Sequence, residues 1–173
     1  MQFVRRRRVA LDIGAHCGLW TSQLALAFDS VICFEPFADH IECWKENVGS
    51  RDNVILHETA LGAEKGSCGI KVFHGASGRS HVEGAGNIPI TRLDDYKITD
   101  VDLIKIDVEG YEYFVAKGGE KTIRENKPVI IVEQKPGFGV RFGLGDLDAV
   151  EYLESLGASV MAEVAGDYIM GWR

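Results

Sequence analysis

ALDIGAHCGLWTSQLA, residues 10–25, is the stretch that decides the fold of this chain. An apolar run over residues 9–13 predicts a short strand, which a glycine turn closes. Apolar residues over 19–28 then recur at helical spacing. A strand that enters a helix through a G-x-x-x-G turn, here Gly14 to Gly18, is compatible with several nucleotide cofactors.

The alternation of apolar strands and helices continues beyond this stretch. Trp20 and Trp44 fit the apolar faces of the first two helices, so we expect both in the core. Asp39 and Glu42 predict a capping pair at the start of the second helix. Strands that alternate with helices imply a mostly parallel sheet with helices on both faces, and continuous apolar strands indicate burial on both sides. Further strands are predicted at residues 31–34, 54–56, 101–106 and 129–132.

Two later segments depart from this alternation. Residues 160–164 and 168–172 flank a turn that contains Gly166, which predicts an antiparallel hairpin. Residues 62–87 carry seven glycines and one short strand candidate at 70–73, so we expect a mobile or ligand-facing excursion there. The sequence shows neither a linker nor an internal repeat, so we expect one domain over the whole chain.

Composition and charge are those of an ordinary globular protein. The 173 residues are 46% hydrophobic and 26% charged, and the net charge of −7 argues against broad nucleic-acid binding. Arg5 to Arg8 form a basic run that suits either a nucleic-acid or localisation patch or a solvated lead-in, and we favour the second. The sequence has no apolar run of the ~20 residues that span a bilayer and no signal-peptide core, so we expect a cytoplasmic protein without a membrane partner.

The four cysteines lack the C-x-x-C spacing of a zinc site, and they suit a reduced compartment. His57, His74 and His81 lack the i, i+4 spacing of a helical metal motif. We therefore expect no metal.

An acidic residue stands at or just beyond the carboxyl end of each predicted parallel strand: Asp12, Glu35, Glu58, Asp107 and Glu133. In open α/β sheets, ligands bind outside the carboxyl ends of the strands. Polar residues are common where a strand leaves the core, but Lys, Asn or Ser would serve equally well at such an exit. A need for a polar residue therefore does not explain why all five are acidic. The pattern therefore favours a ligand with hydroxyl groups and positive charge.

The glycine spacing separates two cofactor classes. A dinucleotide brings a pyrophosphate, which favours G-x-G-x-x-G before a helix N-terminus. This chain has only Gly14 and Gly18, with Asp12 before them. S-adenosylmethionine brings a sulfonium, an ammonium and ribose hydroxyls but no phosphate. Glu35, 21 residues after Gly14, is placed to accept both ribose hydroxyls. An acidic residue at that position binds the ribose of NAD as well, so it does not distinguish the two cofactors. The missing third glycine and the closing hairpin are what favour S-adenosylmethionine over NAD.

The combined pattern resembles the FkbM family of S-adenosylmethionine-dependent methyltransferases. Its most specific element is IKIDVEGYE at residues 104–112, which stands in register with the first glycine turn. The resemblance covers most of residues 8–135 and weakens after Gln134. Its matching stretches are ALDIGAHCGLWTSQLA at 10–25, VICFEPFADH at 31–40, NVILHETALG at 53–62, ITRLDDY at 90–96, DLIKIDVEGYEYFVAKGGEKTI at 102–123 and PVIIVEQ at 128–134.

The resemblance implies a Rossmann-like class I methyltransferase fold, whose mostly parallel seven-stranded sheet ends in an antiparallel hairpin. It also implies an adenine contact near residues 58–60, where Glu58 stands in place of a smaller polar residue. Many relatives carry more chain before the first strand, so a covering element supplied there is expected to be reduced or absent. The expected cofactor-binding residues are Asp12, Gly14, Ala15, His16, Gly18, Glu35, Pro36, Glu58, Thr59, Ala60 and Asp107.

Two carboxylates are the candidates for catalysis. Asp107 is expected beside the methionyl group of the cofactor or the nucleophile, and Glu109 is expected to contact substrate or to act as base. An alternative is that Glu109 only bonds the local backbone at the Gly110 turn. The substrate candidates are His74, Arg79, His81 and Glu133.

The sequence therefore predicts a methyltransferase that uses S-adenosylmethionine and methylates the oxygen of a small-molecule or sugar hydroxyl. Two alternatives stay open: a non-catalytic S-adenosylmethionine-binding module, and an NAD-dependent oxidoreductase. The sequence indicates neither the acceptor nor the oligomeric state.

Overall fold

A computed structural model describes residues 2–72 and 80–172 of the chain. Seven strands form the main sheet, in the order β11-β12-β10-β9-β1-β2-β3. Five of them run parallel, as the alternation of strands and helices predicts. The strands are β1 (Val9–Ile13), β2 (Ser30–Phe34), β3 (Val54–His57), β9 (Val101–Ile106), β10 (Val129–Glu133), β11 (Ala158–Val164) and β12 (Asp167–Trp172).

The chain order of the strands reverses direction next to β1. The chain runs from β1 outward through β2 to β3, and it later returns to β9 on the other side of β1. Such a reversal opens a crevice outside the carboxyl ends of the two central strands. The fold therefore places any ligand site beside Ile13 and Ile106, where β1 and β9 end.

The predicted hairpin is confirmed, and its second strand is inserted into the sheet. β12 pairs antiparallel with both β10 and β11, so it lies between them. Met170 of β12 is fully buried, which anchors the inserted strand in the core. The turn lies at Ala165 and Gly166, both with positive φ, as the glycine predicts.

Helices cover both faces of the sheet, as predicted. On one face Leu24, Phe28 and Trp44 belong to a single buried cluster. On the other face Val115 and Leu153 belong to a second, larger cluster. The helices are α1 (Leu19–Ala25), α2 (Ala38–Val48), α3 (Glu112–Gly118), α4 (Glu120–Asn126) and α5 (Asp148–Ser155).

The described part of the glycine-rich excursion contributes strands to two small sheets. One has the order β4-β8-β5 and the other pairs β6 with β7. A 3-10 helix, Leu93–Tyr96, returns the chain toward β9. The small strands are β4 (Ala60–Leu61), β5 (Gly66–Cys68), β6 (Ile70–Lys71), β7 (His81–Val82) and β8 (Ile88–Thr91).

Two local expectations were wrong. Trp20 is 40% exposed, because the first turn of α1 faces the crevice rather than the core. α2 begins after Phe37 and has no side-chain cap, so Asp39 and Glu42 do not form a capping pair.

The basic run before β1 is a solvated lead-in over most of its length. Arg5, Arg6 and Arg7 are exposed, as expected. Arg8 differs, because it pairs with Asp100 and Asp102 at the start of β9.

Within the described residues, the helices are all too short or too polar to cross a bilayer. The four cysteines lie in the described part of the chain, and all of them are free thiols.

Candidate active site

A cavity of about 260 Å³ opens at the carboxyl ends of β1, β2 and β9. Its floor is the crevice beside β1, and β6 and β7 of the excursion contribute Ile70, His81 and Val82 to its wall. The structure thus supports the ligand-facing character predicted for this segment. The excursion encloses a site that the main sheet alone would leave open.

The loop after β1 is held against two neighbouring strands. Gly14 and Ala15 donate backbone hydrogen bonds to the Phe34 carbonyl, at 3.0 and 3.2 Å. Gly14 has φ of 80°, and a Cβ there would collide with the backbone carbonyl of Asp107. Only glycine allows the loop to lie so close to the end of β9. Gly14 is therefore required by the crevice itself.

Glu35, just after β2, is the best-anchored carboxylate of the site. Its Oε2 accepts the backbone N–H of His16 at 2.8 Å, and its Oε1 accepts the backbone N–H of Phe37 at 3.0 Å. His40 Nδ1 lies 3.2 Å from the same Oε1. These contacts fix the carboxylate in the cavity wall and join the β1 loop to α2.

Asp12 lies behind the cavity rather than in its wall. It is fully buried, and its Oδ2 accepts a hydrogen bond from the Thr21 hydroxyl at 2.6 Å. Burial raises the pKa of Asp12, and Lys105 Nζ at 3.8 Å opposes that effect. Asp12 therefore acts as an internal counter-ion that connects β1, α1 and β9.

Three carboxylates gather at the opposite side of the cavity. Oxygen atoms of Asp107, Glu109 and Glu133 lie within 4.8 Å of one another. Lys105 Nζ is 3.2 Å from Asp107 Oδ2, and Lys135 Nζ is 2.7 Å from Glu133 Oε1. The two ammonium groups supply the counter-charge that a bound cation would otherwise provide.

The pKa values of Glu133 and Asp107 are shifted in opposite directions within this cluster. Burial raises the pKa of Glu133 to about 7, and the neighbouring Asp107 adds to that rise. Burial alone would raise the pKa of Asp107 too, but Lys105 and a hydrogen bond with Glu133 outweigh it and lower the value. Burial lowers the pKa of Lys105, but the charges of Asp12 and Asp107 together raise it by more than burial lowers it. The ammonium group therefore stays charged. Asp107 is thus the ionised member of the pair near neutral pH.

Glu112 holds the turn after β9. Its Oε1 accepts the backbone N–H groups of Val108 and Gly110, at 3.0 and 2.9 Å. Its Oε2 lies 3.3 Å from Gln134 Nε2. Glu112 thus makes backbone contacts of the kind considered for Glu109. Glu109 itself, at φ 57°, lines the cavity.

Most predicted site residues meet at this cavity. Four of them stand apart from its described wall: Asp12 and Gly18 lie beneath the loop, Glu133 lies behind Asp107, and Glu58 is exposed and pairs with Lys45 at 3.2 Å. His74 and Arg79 lie outside the described residues. The predicted residues in the wall are Gly14, Ala15, His16, Glu35, Pro36, Thr59, Ala60, His81, Asp107 and Glu109.

Sequence reasoning missed four residues of the site: Lys105, Lys135, His40 and Glu112. A lysine within the apolar run of β9, two residues before Asp107, was a usable signal, because alternate strand residues share a face. Lys135, two residues after Glu133, carried a similar signal. His40 and Glu112 carried no comparable signal, since neither the contact with Glu35 nor the contact with Gln134 follows from a strand or helix spacing.

The remaining wall is apolar. Leu19 and Trp20 flank the cavity from α1, and both side chains are exposed to solvent as well. Tyr111, half-buried, lines the far side near Ile70 and Val82. The cavity therefore combines carboxylates at its floor with apolar and aromatic walls.

The sheet order, the inserted antiparallel strand and the crevice beside β1 define a class I methyltransferase fold. The chain belongs to the FkbM methyltransferase family, because the model of the FkbM methyltransferase domain matches residues 12–160. The comparison with curated proteins gives no match.

Solved structures show the same fold at low sequence identity. An FkbM methyltransferase from Methylobacillus flagellatus has a TM-score of 0.62 and 16% identity, over 96% of this chain and 44% of that chain. A precorrin-6y C5,15-methyltransferase from Geobacter metallireducens has a TM-score of 0.58 and 17% identity, over 99% and 82% of the two chains. A fibrillarin pre-rRNA processing protein from Methanococcus jannaschii has a TM-score of 0.58 and 17% identity, over 98% and 68%. This chain therefore spans less than half the length of the Methylobacillus protein.

Proposed function

We propose that this chain binds S-adenosylmethionine in the cavity beside β1 and transfers its methyl group to a hydroxyl of a small molecule or sugar. The observation that carries the proposal is the placement of two carboxylates on opposite sides of one glycine loop. Glu35 lies at the β2 side of Gly14, and Asp107 lies at the β9 side. A ligand laid across the loop meets a fixed carboxylate at each end.

The charges of the wall suit this cofactor. Three carboxylates line the cavity in its described part, Glu35, Asp107 and Glu109, and the one lysine there, Lys105, is already paired with Asp107. Carboxylates accept hydrogen bonds from ribose hydroxyls and attract an ammonium or sulfonium group. The donor set therefore fits S-adenosylmethionine, with Glu35 toward the ribose and Asp107 toward the methionyl ammonium.

The same charges disfavour a dinucleotide. A pyrophosphate needs free backbone N–H groups at a helix N-terminus, or cations, to balance its negative charge. Here the N–H of His16 is donated to Glu35, and α1 starts only after Gly18. A phosphate placed on this loop would face the Glu35 and Asp107 carboxylates.

The chemistry then depends on positioning and on one proton transfer. When bound, S-adenosylmethionine supplies an electrophilic methyl group. Glu35 and Asp107 hold the two ends of the cofactor, which fixes the direction from which an acceptor approaches. Glu109 is placed in the wall to take the proton of an acceptor hydroxyl, with Lys135 Nζ 3.9 Å from its Oε1. Leu19, Trp20 and Tyr111 give the acceptor side an apolar and aromatic wall.

Isothermal titration with S-adenosylhomocysteine and with NADH tests the proposal. We expect micromolar binding of S-adenosylhomocysteine and none of NADH, because only the first lacks a pyrophosphate. Binding of NADH alone would instead support an oxidoreductase. Tight binding of S-adenosylmethionine without turnover over a panel of hydroxyl acceptors would favour a binding module and contradict the proposed transfer.

A further inference from the structure

We propose that His40 is a second ribose-binding residue of this site, whose Nε2 accepts the ribose hydroxyl that Glu35 has no room to accept. The inference rests on the proposed S-adenosylmethionine site, and it concerns how that site recognises the ribose. It arises from counting the acceptor positions of one carboxylate.

Glu35 has little acceptor capacity left for a ligand. An ionised carboxylate offers about four lone-pair positions on its two oxygens. Residues 2–72 and 80–172 fill three of them: Oε1 accepts from Phe37 N and His40 Nδ1, and Oε2 accepts from His16 N. One position remains, on Oε2. A ribose has two hydroxyls, so the expectation that Glu35 accepts both of them does not fit this arrangement.

His40 carries the missing acceptor. A carboxylate only accepts hydrogen bonds, so the contact with Glu35 places the ring hydrogen on Nδ1 and leaves Nε2 of the neutral ring as an acceptor. His40 is 7% exposed and lines the cavity. Among the residues that the structure describes, Nε2 meets no hydrogen-bond partner although it is buried. Such an atom costs stability unless a ligand satisfies it.

The neighbouring rings define how a ligand reaches this atom. His16 and Phe37 pack edge-to-face against His40, with ring centroids 4.1 and 4.8 Å away. Both residues are half-buried, and both line the cavity, so Nε2 is separated from a bound ribose by side chains at the cavity wall that must move aside for contact. Burial lowers the pKa of His16, which keeps that ring neutral beside His40. Glu35 and His40 then form one composite ribose site.

Two variants separate the two ring nitrogens. In His40→Asn the amide nitrogen takes the place of Nδ1 and keeps the bond to Glu35, while the Nε2 acceptor is lost. In His40→Gln the longer amide reaches the position of Nε2. We expect His40→Asn to weaken S-adenosylhomocysteine binding by roughly tenfold, as for the loss of one hydrogen bond, and His40→Gln to recover part of that loss. Glu46→Gln, an exposed change on the same helix, is the matched control and should bind as the wild type does.

Deoxy analogues of S-adenosylhomocysteine identify the bond itself. One of the 2′-deoxy and 3′-deoxy compounds should bind the wild type and His40→Asn with equal affinity, because it lacks the hydroxyl that His40 accepts. The other should show the full difference. Thermal unfolding of each variant establishes that it is folded.

The outcomes distinguish this inference from the proposed function. Failure of the wild type to bind S-adenosylhomocysteine would overturn both. Wild-type binding that His40→Asn leaves unchanged, or a His40→Asn loss that persists with both deoxy analogues, would overturn the ribose role of His40 alone.

Discussion

At the scale of single residues, Gly14 shows how the site depends on the absence of a side chain. Its backbone lies in the left-handed region, and the space that a Cβ would fill belongs to the carbonyl of Asp107. The same close approach brings the cofactor loop against the end of β9. Any larger residue must push the loop away from Asp107, which would separate the two carboxylates that face the cavity.

Gly14→Ala should therefore damage both stability and binding. We expect a loss of roughly 2–5 kcal/mol in the free energy of unfolding, from left-handed backbone and overpacking together. We also expect S-adenosylhomocysteine affinity to fall by more than about tenfold. Gly143→Ala is the control, because Gly143 has φ of 74° but open space around it, so it should cost only about 1 kcal/mol and leave binding unchanged. Urea denaturation and titration measure both quantities, and equal behaviour of the two variants would contradict the role of Gly14.

At the scale of elements, the turn between β9 and α3 is built around a buried carboxylate. Glu112 is the first residue of α3, and it accepts two backbone N–H groups of the turn that carries Glu109. Through Gln134, whose Oε1 accepts the N–H of Ala149, the same carboxylate is connected to β10 and α5. The position of Glu109 in the wall thus depends on a group that never touches the cavity.

Burial raises the pKa of Glu112 from 4.5 to about 7, despite the hydrogen bonds from Gly110 and Val108, and this shift predicts a pH-dependent stability. Because the folded state holds the proton more tightly than the unfolded state, Glu112 stabilises the fold below about pH 4.5. That contribution is lost as the pH rises through about 7. We expect the unfolding free energy of the wild type, relative to Glu112→Gln, to fall by about 1–3 kcal/mol between pH 5 and pH 8.

The difference in unfolding free energy between the wild type and Glu112→Gln contains the contribution of Glu112 but not that of the histidines. The lowered pKa values of His16 and His57 make their own contribution to stability rise with pH over the same range. Denaturant unfolding at several pH values provides the measurement. Glu125→Gln, an exposed change on α4, should show a difference that does not vary with pH. A flat difference for Glu112→Gln as well would mean that the carboxylate is ionised throughout.

At the scale of the whole molecule, the carboxylate cluster beside the cavity is assembled from separate parts of the chain. Asp107 and Glu109 follow β9, whereas Glu133 and Lys135 lie at the end of β10. Parallel pairing of β9 with β10 brings these ends together. The sheet therefore creates a group of interacting charges whose members lie more than twenty residues apart in the sequence.

Glu109→Gln should separate proton transfer from cofactor binding. If Glu109 takes the proton of the acceptor hydroxyl, kcat should fall by about 10²- to 10⁴-fold, while the affinity for S-adenosylhomocysteine changes by less than about threefold. Glu163→Gln, exposed on β11, is the control. Steady-state kinetics with an acceptor found by panel screening, together with titration, give both values. Full activity of Glu109→Gln would exclude the residue as the base.

Much of this arrangement could be predicted from local sequence. The glycine turn, the apolar strands and the closing hairpin depend on neighbouring residues, so their patterns indicated the mostly parallel sheet with a C-terminal hairpin that the structure shows. Side-chain environment was harder to predict. Trp20 has the spacing of a core residue, yet it lies at the cavity because the crevice at the end of β1 faces the first turn of α1.

The sequence by itself determined that carboxylates stand at the ends of parallel strands, because strand ends and acidic residues are both local features. Only the tertiary structure decided which of them face the ligand. Thr21 and Lys105 hold Asp12 beneath the loop, and Lys45 draws Glu58 to the surface. Glu35 and Asp107 stay in the wall because their partners come from the β1 loop, α2 and β9. His40 and Lys105 are close in sequence to the carboxylates they contact, but His16 reaches Glu35 from another strand end, and these contacts exist only after the sheet has formed.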